Sequence, residues 1–200
     1  MNQVTRRMSA AERREQLLDV TKTLVGEQGF HGVSIEAIAR RAGITRPVVY
    51  GHFKDLDELL EAMFEREAVR ALSQLAQVLP TQLGEGGDRR GALLGALRGY
   101  LETIQADPVT WRLVLMPPEG APRMLREQIA RGREAVIAVL AQLVGPDLAP
   151  DKPSPDPPLT ARLLSAVSDE AARLLLTQPD EYPLERLLAH AGWLLSQLDV

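Results

Sequence analysis

Side chains that can bind a nucleic acid are concentrated between positions 45 and 54, in the run TRPVVYGHFK. Arg46 can donate two parallel hydrogen bonds to O6 and N7 of guanine, a pairing worth about 1–3 kcal/mol of discrimination between bases. His52 and Lys54 can bind phosphate oxygens, and such contacts add affinity that does not depend on base sequence. These residue types at this spacing favour recognition of double-stranded DNA.

Catalytic groups are poorly represented in the same sequence. The chain contains no cysteine, which excludes disulfides, thiolate metal ligands and cysteine nucleophiles, and its three histidines are His31, His52 and His190. His190 stands far from any obvious serine or aspartate partner, and no HExxH, GxSxG or paired-histidine spacing occurs. We therefore expect a protein that is not an enzyme and that needs neither a metal nor a cofactor.

Charge is divided unevenly along the 200 residues. Residues 1–54 hold nine basic and five acidic side chains, a net charge of +4, whereas residues 55–200 hold fourteen basic and twenty-two acidic ones, a net charge of −8. A basic head on an acidic body suits a protein that presents one face to phosphate. No apolar run approaches the roughly 20 residues of a membrane span, and the N-terminus lacks the apolar core of a signal peptide. We therefore expect a cytoplasmic protein without a membrane partner.

Three helices must position the candidate DNA-binding run. The sequence SAAE is a capping box, which predicts a first helix that begins at Ser9 and ends at Gly29. Ser34 should cap a second helix that ends at Gly43. After a turn of three or four residues, a short third helix should cover about residues 46–53. This succession is typical of a helix-turn-helix.

The third helix should have one buried and one exposed face. Val49 and Phe53 are four residues apart, so they share a face and should pack against the first two helices. The opposite face would be free to enter a major groove, and it carries Pro47, Val48, Tyr50 and Gly51.

The sequence pattern of the remainder of the chain predicts helices throughout. Leucine, alanine, arginine and glutamate recur at helical spacing, and no segment alternates apolar and polar residues, so we predict an all-α protein. Six further helices are expected, at about residues 56–79, 89–105, 108–115, 123–144, 159–177 and 183–198. The chain would then have about nine helices, in a head of residues 1–54 and a body of residues 55–200. The glycine-rich run 81–91 and the proline-rich run 146–158 are predicted to be linkers.

The stretch GEQGFHGVSIEAIARRAGITRPVVYGHFKDLDELLEAM resembles the N-terminal signature of the TetR family of bacterial transcriptional regulators. The shared features are a Gly-Phe turn before a serine, the IA–AG core and the Tyr-x-His-Phe-Lys run before a leucine-rich helix. The resemblance implies base or sugar contacts from Thr45, Arg46, Pro47 and Val48. It implies contacts to the DNA backbone from Ser34, Tyr50, His52 and Lys54.

Gly51 departs from this family pattern, in which a larger side chain is common. Glycine inside a helix costs about 1 kcal/mol relative to alanine. Either the glycine lets the protein backbone approach DNA closely, or it reduces the number of bases that the helix reads.

The resemblance also implies that the body binds a ligand and forms a homodimer through its last two helices. The apolar stripes of these helices include Leu164, Val167, Ala171, Leu174, Leu188, Ala191 and Leu195. These stripes could instead cover the core of the single chain. Trp193 is equally compatible with an interface anchor and with a core residue.

A ligand cavity is implied among the middle helices of the body. Its apolar and aromatic candidate residues are Phe64, Tyr100, Ile104, Trp111, Leu115, Met116, Leu125 and Ile129. Such residues at helical spacing could equally form an ordinary core.

These features together predict a ligand-responsive transcriptional regulator that binds a palindromic operator as a homodimer. Most members of the family repress transcription, so the resemblance implies a repressor. A small apolar or amphipathic molecule would bind the body, tilt the fourth helix and release the DNA. The alternative is a helical small-molecule-binding or protein-interaction module with a vestigial DNA-binding head.

Overall fold

The computed structural model describes residues 8–78, 89–117, 123–145 and 154–197. Within these ranges the chain forms α-helices, one turn of 3₁₀-helix at Phe30–Gly32 and no strand, which confirms the all-α prediction. The helices are α1 (Ala10–Gln28), α2 (Ile35–Ala42), α3 (Arg46–Tyr50), α4 (Leu56–Val78), α5 (Arg89–Ala106), α6 (Pro108–Leu115), α7 (Arg123–Leu143), α8 (Pro157–Thr177) and α9 (Leu184–Gln197). No helix in the described ranges is both long and apolar enough to cross a membrane.

The ends of α1 and α2 follow from the capping residues in the sequence. The backbone N–H of Glu12 donates to Ser9 Oγ at 3.2 Å, and the backbone N–H of Ser9 donates to Glu12 Oε2 at 2.7 Å, which completes the capping box. Gly29 and Gly43 terminate the two helices at φ values of 68° and 66°. Side chains with a Cβ rarely adopt such values, so glycine is the residue expected there.

The first compact unit contains the described residues up to Glu67, together with the first residues of α7. Its core includes Leu17, Leu24, Ile38, Val49, Phe53, Leu59 and Met63. The first three turns of α4 bury Leu59 and Met63, so this unit extends past the boundary expected at residue 54. An ion pair also joins α1 to α4 within the unit, because Lys22 Nζ lies 2.8 Å from Glu67 Oε2.

The second compact unit comprises Ala68–Pro117 and the residues from Arg126 onward. Helix α5 packs against α8 and α9, and α6 packs against α8. Tyr100 meets Trp111 edge to face in the core, with ring centroids 5.3 Å apart. The indole N–H of Trp111 donates to Gln74 Oε1 at 3.1 Å, so the buried polar atom of the ring is satisfied.

The two predicted linkers fall largely at residues 81–88 and 146–153, which lie outside the described residues. The end of the proline-rich run was assigned wrongly, because Pro157 and Pro158 form the first turn of α8. Asp156 caps this helix by accepting a hydrogen bond from the backbone N–H of Leu159 at 3.1 Å. Proline is well tolerated there, since the first N–H groups of a helix have no partner within it.

Candidate DNA-reading surface and ligand cavity

The turn between α2 and α3 has the compact geometry of a helix-turn-helix. Gly43 is left-handed, with φ 66° and ψ 34°, and the N–H of Ile44 donates back to the carbonyl of Ala39 at 3.0 Å. Thr45 is extended and precedes α3, and Pro47 lies in the first turn of that helix. The chain therefore reverses over three residues between the two helices.

Helix α3 divides its side chains as the spacing predicts. Val49 and Phe53 are fully buried, whereas Val48 and Tyr50 are exposed. Thr45, Arg46, Pro47 and Gly51 are exposed as well. The helix ends at Tyr50, three residues before its expected end, because the N–H of His52 bonds to the carbonyl of Val49 in a tight i→i+3 turn.

Arg46, the candidate base reader, has a partner that the sequence did not reveal. Its Nη1 atom lies 2.9 Å from Glu36 Oε1, and both side chains are more than half exposed. Glu36 lies in the first turn of α2 and Arg46 in the first turn of α3. Nothing in a separation of ten residues indicates that the two would meet.

Ser34 precedes α2, and Lys54 lies just before Asp55 at the start of α4. The ammonium group of Lys54 extends into solvent 3.6 Å from Asp55 Oδ2. Asp55 caps α4, and the hydrogen bond from the backbone N–H of Glu58 holds the pKa of the Asp55 carboxyl below its usual range. Ser34 Oγ accepts from the N–H of Ala37 at 3.1 Å, so its hydroxyl proton can still be donated to a phosphate.

His52 is half-buried and is fixed mainly through its backbone. Its carbonyl accepts a hydrogen bond from Arg14 Nη1 at 3.2 Å. The Arg14 guanidinium also covers the ring of Phe53, with Cζ 4.3 Å from the ring centroid. Arg14 therefore ties the end of the α3 turn to α1.

Gly51 is not required by the backbone of this turn. Its φ of −70° and ψ of −14° are ordinary right-handed values. A Cβ at this position would lie 3.3 Å from the carbonyl oxygen of Val48 and 3.6 Å from that of Pro47. A methyl group would be tight but would not collide, so the effect of the glycine is to leave the exposed face without a side chain.

The second unit contains a partly open cavity of about 740 Å³ lined by residues of α4 to α9, and the exposed Leu163 and Val167 of α8 are part of its lining. Tyr100, Trp111, Leu115 and Ile129, all candidates from the sequence, line it. Aliphatic side chains form most of the remaining wall, including those of Leu72, Leu75, Leu97, Val136 and Leu140. A cavity of this size and composition is typical of a site for a small amphipathic molecule.

One part of the cavity wall is polar. The hydroxyl of Tyr100 donates to Asp169 Oδ1 at 3.2 Å, and Arg133 Nη2 lies 2.8 Å from Asp169 Oδ2. Burial and the nearby Asp169 carboxylate raise the pKa of the Tyr100 hydroxyl well above its usual value. The phenol is therefore neutral at ordinary pH. Sequence reasoning missed Arg133 and Asp169, because charged residues on an amphipathic helix usually face solvent.

Three of the other cavity candidates lie elsewhere in their units. Phe64 stacks on Phe30, with ring centroids 5.3 Å apart, in the core of the first unit. Ile104 is fully buried in the core beside Trp111, and Met116 packs against that same core. The side chain of Leu125 lies outside the described residues.

The structure also separates the candidate interface residues. Leu188 and Leu195 are buried within the single chain, whereas Val167 is 59% exposed. Leu164, Ala171, Leu174 and Ala191 are half-buried. The large apolar side chains that are exposed on these two helices are Leu159, Leu163, Val167 and Trp193. The i, i+4, i+8 spacing of the first three was visible in the sequence, and the exposure of Trp193 is incompatible with a core role.

Comparison with known proteins bears directly on the head. Residues 17–63 match the family model described as bacterial regulatory proteins, tetR family. The matched segment contains all of α2 and α3 and begins within α1. The head of this chain is therefore similar to the tetR family of bacterial regulatory proteins.

Other similar proteins extend the comparison beyond the head. It is 28% identical over 141 residues to the HTH-type transcriptional activator FasR of Mycolicibacterium smegmatis, and the match covers 70% of the chain and 63% of FasR. A TetR-like transcriptional regulator from Rhodococcus sp. RHA1 shares its fold, with a TM-score of 0.73, 24% identity and coverage of 94% and 96% of the two chains. The FadR regulator of Bacillus subtilis, solved in complex with stearoyl-CoA, superposes with a TM-score of 0.67 at 17% identity, over 90% and 96% of the two chains.

Proposed function

We propose that the chain is a regulator of the TetR family, which binds its operator through the exposed face of α3 and responds to a small amphipathic ligand held in the body. The division of α3 into two faces carries the first part of the proposal. Val49 fixes the helix in the core, while Val48, Tyr50 and Arg46 stand in solvent within the segment that matches the family model. In a major groove, Arg46 would read a guanine and Val48 would contact a thymine methyl group. Lys54 would bind the phosphate backbone.

Selection from random duplexes, followed by affinity measurements on the selected site, tests this docking. Arg46→Ala should relax preference at one base pair in each half-site, by about 5- to 150-fold for a pairing worth roughly 1–3 kcal/mol. Lys54→Ala should weaken binding to all DNA sequences about equally. It should also reduce by about one the slope of the logarithm of affinity against the logarithm of salt concentration. Arg131→Ala, which removes an exposed arginine of α7, is the matched control. The docking proposal is wrong if all three variants bind DNA alike.

We further propose that two copies bind a palindromic operator and pair through α8 and α9. One recognition helix of this size contacts few base pairs. A two-fold dimer would place the α3 helices of its two copies about 34–36 Å apart, which is one turn of the DNA helix. The exposed residues Leu159, Leu163 and Val167 on α8 and Trp193 on α9 support this pairing, because exposed large apolar side chains that lie near one another often mark an interface.

A charge on the exposed face of α8 outside the cavity lining tests the dimer. Leu159→Lys should convert the protein to a monomer in sedimentation analysis and should weaken binding to a palindrome more than binding to a half-site. Val69→Lys is the matched control, since Val69 is an apolar residue of α4 that also lies outside the cavity lining and has similar exposure, 56% against 53% for Leu159. If Leu159→Lys sediments like Val69→Lys and like the unmodified protein, α8 is not the interface.

The cavity supports the effector part of the proposal. Its walls would bury an aliphatic chain, and the neighbour FadR was solved with stearoyl-CoA. Helix α4 supplies Ala68, Ala71, Leu72 and Leu75 to the lining and begins directly after Lys54 and Asp55. We propose that a bound ligand shifts α4, alters the spacing of the two α3 helices and releases the operator.

Operator affinity measured with and without a cavity ligand tests the release. The operator should weaken ligand binding by the same factor by which the ligand weakens operator binding. A ligand that binds the body and leaves operator affinity unchanged would refute the mechanism. We propose repression as the mode, and transcription from an operator-bearing template distinguishes it from activation, the activity for which FasR is named.

A further inference from the structure

The polar part of the cavity wall is concentrated around Asp169. Helix α8 places Ser165, Ser168 and Asp169 on one face, Tyr100 reaches Asp169 from α5, and Arg133 reaches it from α7. We call these five residues the Asp169 patch. Of the other polar lining residues, Ser154 and Thr160 are hydrogen-bonded to each other at 2.7 Å, and Gln128 is neutral. A ligand polar group therefore finds its densest set of partners at the Asp169 patch.

The charges of the patch are already balanced. Arg133 and Asp169 are the two ionised side chains of the lining, and they contact each other at 2.8 Å. Asp169 is the more buried partner, with 14% of its side chain exposed against 45% for Arg133. A carboxylate head group would be placed against the buried Asp169 charge, and a cationic one would have to displace Arg133. Either arrangement leaves a charge poorly compensated in an apolar site, which is costly.

The patch nevertheless has unused hydrogen-bonding capacity. Ser165 is almost fully buried, and its hydroxyl forms no hydrogen bond to another described residue. Arg133 bonds Asp169 through one of its five N–H donors. Asp169 accepts one bond on each carboxylate oxygen, and each oxygen has room for another. The open positions thus include donors and acceptors side by side. A hydroxyl group fits them, because it donates and accepts at the same atom.

We propose that the cavity takes a neutral amphipathic alcohol, whose apolar body fills the aliphatic part and whose hydroxyl group binds between Asp169 and Ser165. This inference rests on the proposed effector site and specifies its ligand class. The apolar body supplies most of the affinity, at about 0.8 kcal/mol per buried methylene. The Asp169 patch selects the head group by its charge and by its ability to donate a proton.

A series of ligands with one chain length isolates the head group. We would titrate decan-1-ol, decyl methyl ether, decanoate and decyltrimethylammonium into the full chain by calorimetry. Decan-1-ol should bind at least about tenfold more tightly than either ion, since the ions would enter a charge-balanced site. It should also bind about fivefold more tightly than the ether, which cannot donate to Asp169. Equal or tighter binding of an ion, or equal binding of the ether, would overturn the proposal.

Two variants connect the selectivity to the patch. Ser165→Ala should weaken the binding of decan-1-ol by about fivefold, the effect of one lost hydrogen bond, and should weaken the binding of the ether at most as much, because the ether oxygen can also accept from a serine hydroxyl. Ser73→Ala, which removes an exposed serine of α4 outside the cavity lining, should change neither. If Ser165→Ala leaves the binding of decan-1-ol unchanged, the serine does not bind the head group and the proposal fails.

The outcome is separable from that of the proposed function. Decan-1-ol could bind with the expected selectivity and leave operator affinity unchanged. In that case the ligand class is correct and the release mechanism is wrong. If none of the four ligands binds while the operator is still bound, the ligand class is wrong and the DNA-binding function stands.

Discussion

The ion pair between Lys22 and Glu67 gives a sharp test of how the head is held together. Glu67 is 1% exposed, whereas Lys22 is 15% exposed and can reach water if its partner is removed. Arg66 Nε also donates to Glu67 Oε1 at 3.0 Å. Removal of Lys22 therefore leaves a buried carboxylate with reduced compensation, whereas removal of both members also removes that carboxylate and leaves Arg66 paired with Glu15 and Asp19.

The expected magnitude follows from this geometry. Loss of one partner from a buried ion pair typically costs 3–5 kcal/mol. Because Arg66 remains bonded to Glu67, we expect Lys22→Met to lower the free energy of unfolding by about 3 kcal/mol, at the low end of that range. The double variant Lys22→Met/Glu67→Met should be more stable than Lys22→Met alone, since it removes the buried charge.

An exposed ion pair in the same unit supplies the control. Arg41 and Glu27 form an ion pair with both side chains close to half exposed. Arg41→Met should cost less than about 1 kcal/mol, because such pairs are screened by solvent.

Urea denaturation followed by far-UV circular dichroism measures the three variants. With a slope of about 1–3 kcal/mol/M, the Lys22→Met midpoint should fall by roughly 1–3 M. Tryptophan fluorescence reports separately on the second unit, which contains Trp111 and Trp193. Two results would refute the reasoning: a Lys22→Met cost no larger than that of Arg41→Met, or a double variant less stable than the single one.

Three further predictions concern other parts of the chain. Glu36→Gln should raise operator affinity several-fold in filter binding, because it frees Arg46 and removes an acidic group near the phosphates. Tyr100→Phe should flatten the alkaline loss of stability. Because the pKa of Tyr100 is raised in the folded protein, its contribution to the free energy of unfolding is present below the ordinary tyrosine pKa of about 10 and is lost as the pH rises above it. Thermal denaturation of both proteins at pH 8 and pH 11 would measure this difference. Gly43→Ala should destabilise the head by about 1–2 kcal/mol in urea denaturation through left-handed strain alone, because no atom lies within 4 Å of the added Cβ.

The helix boundaries were largely predictable because their signals are local. Ser9 with Glu12, Gly29 and Gly43 act within a few residues of themselves, and the structure places them as helix ends. The same is true of the buried pair Val49 and Phe53, which depends only on the helical period.

The partners of charged side chains were not predictable in this way. Arg46 meets Glu36, and Arg133 meets Asp169, across separations that carry no periodic signal. Apolar residues presented the opposite difficulty. Phe64 and Tyr100 both look like core or cavity residues in the sequence, and only the packing of their units distinguishes the stack on Phe30 from the cavity wall.

Helix α4 is the element through which ligand and operator binding would be coupled. Its residues up to Glu67 belong to the first unit, and the next residue, Ala68, already lines the cavity. The ion pair of Glu67 with Lys22 is therefore one residue from the site where a ligand would press on the helix. A helix that is firmly held at this point can transmit a displacement, whereas one that is loosely held would absorb it by local rearrangement. If release depends on this attachment, Lys22→Met/Glu67→Met should bind both operator and ligand yet show a smaller coupling between them.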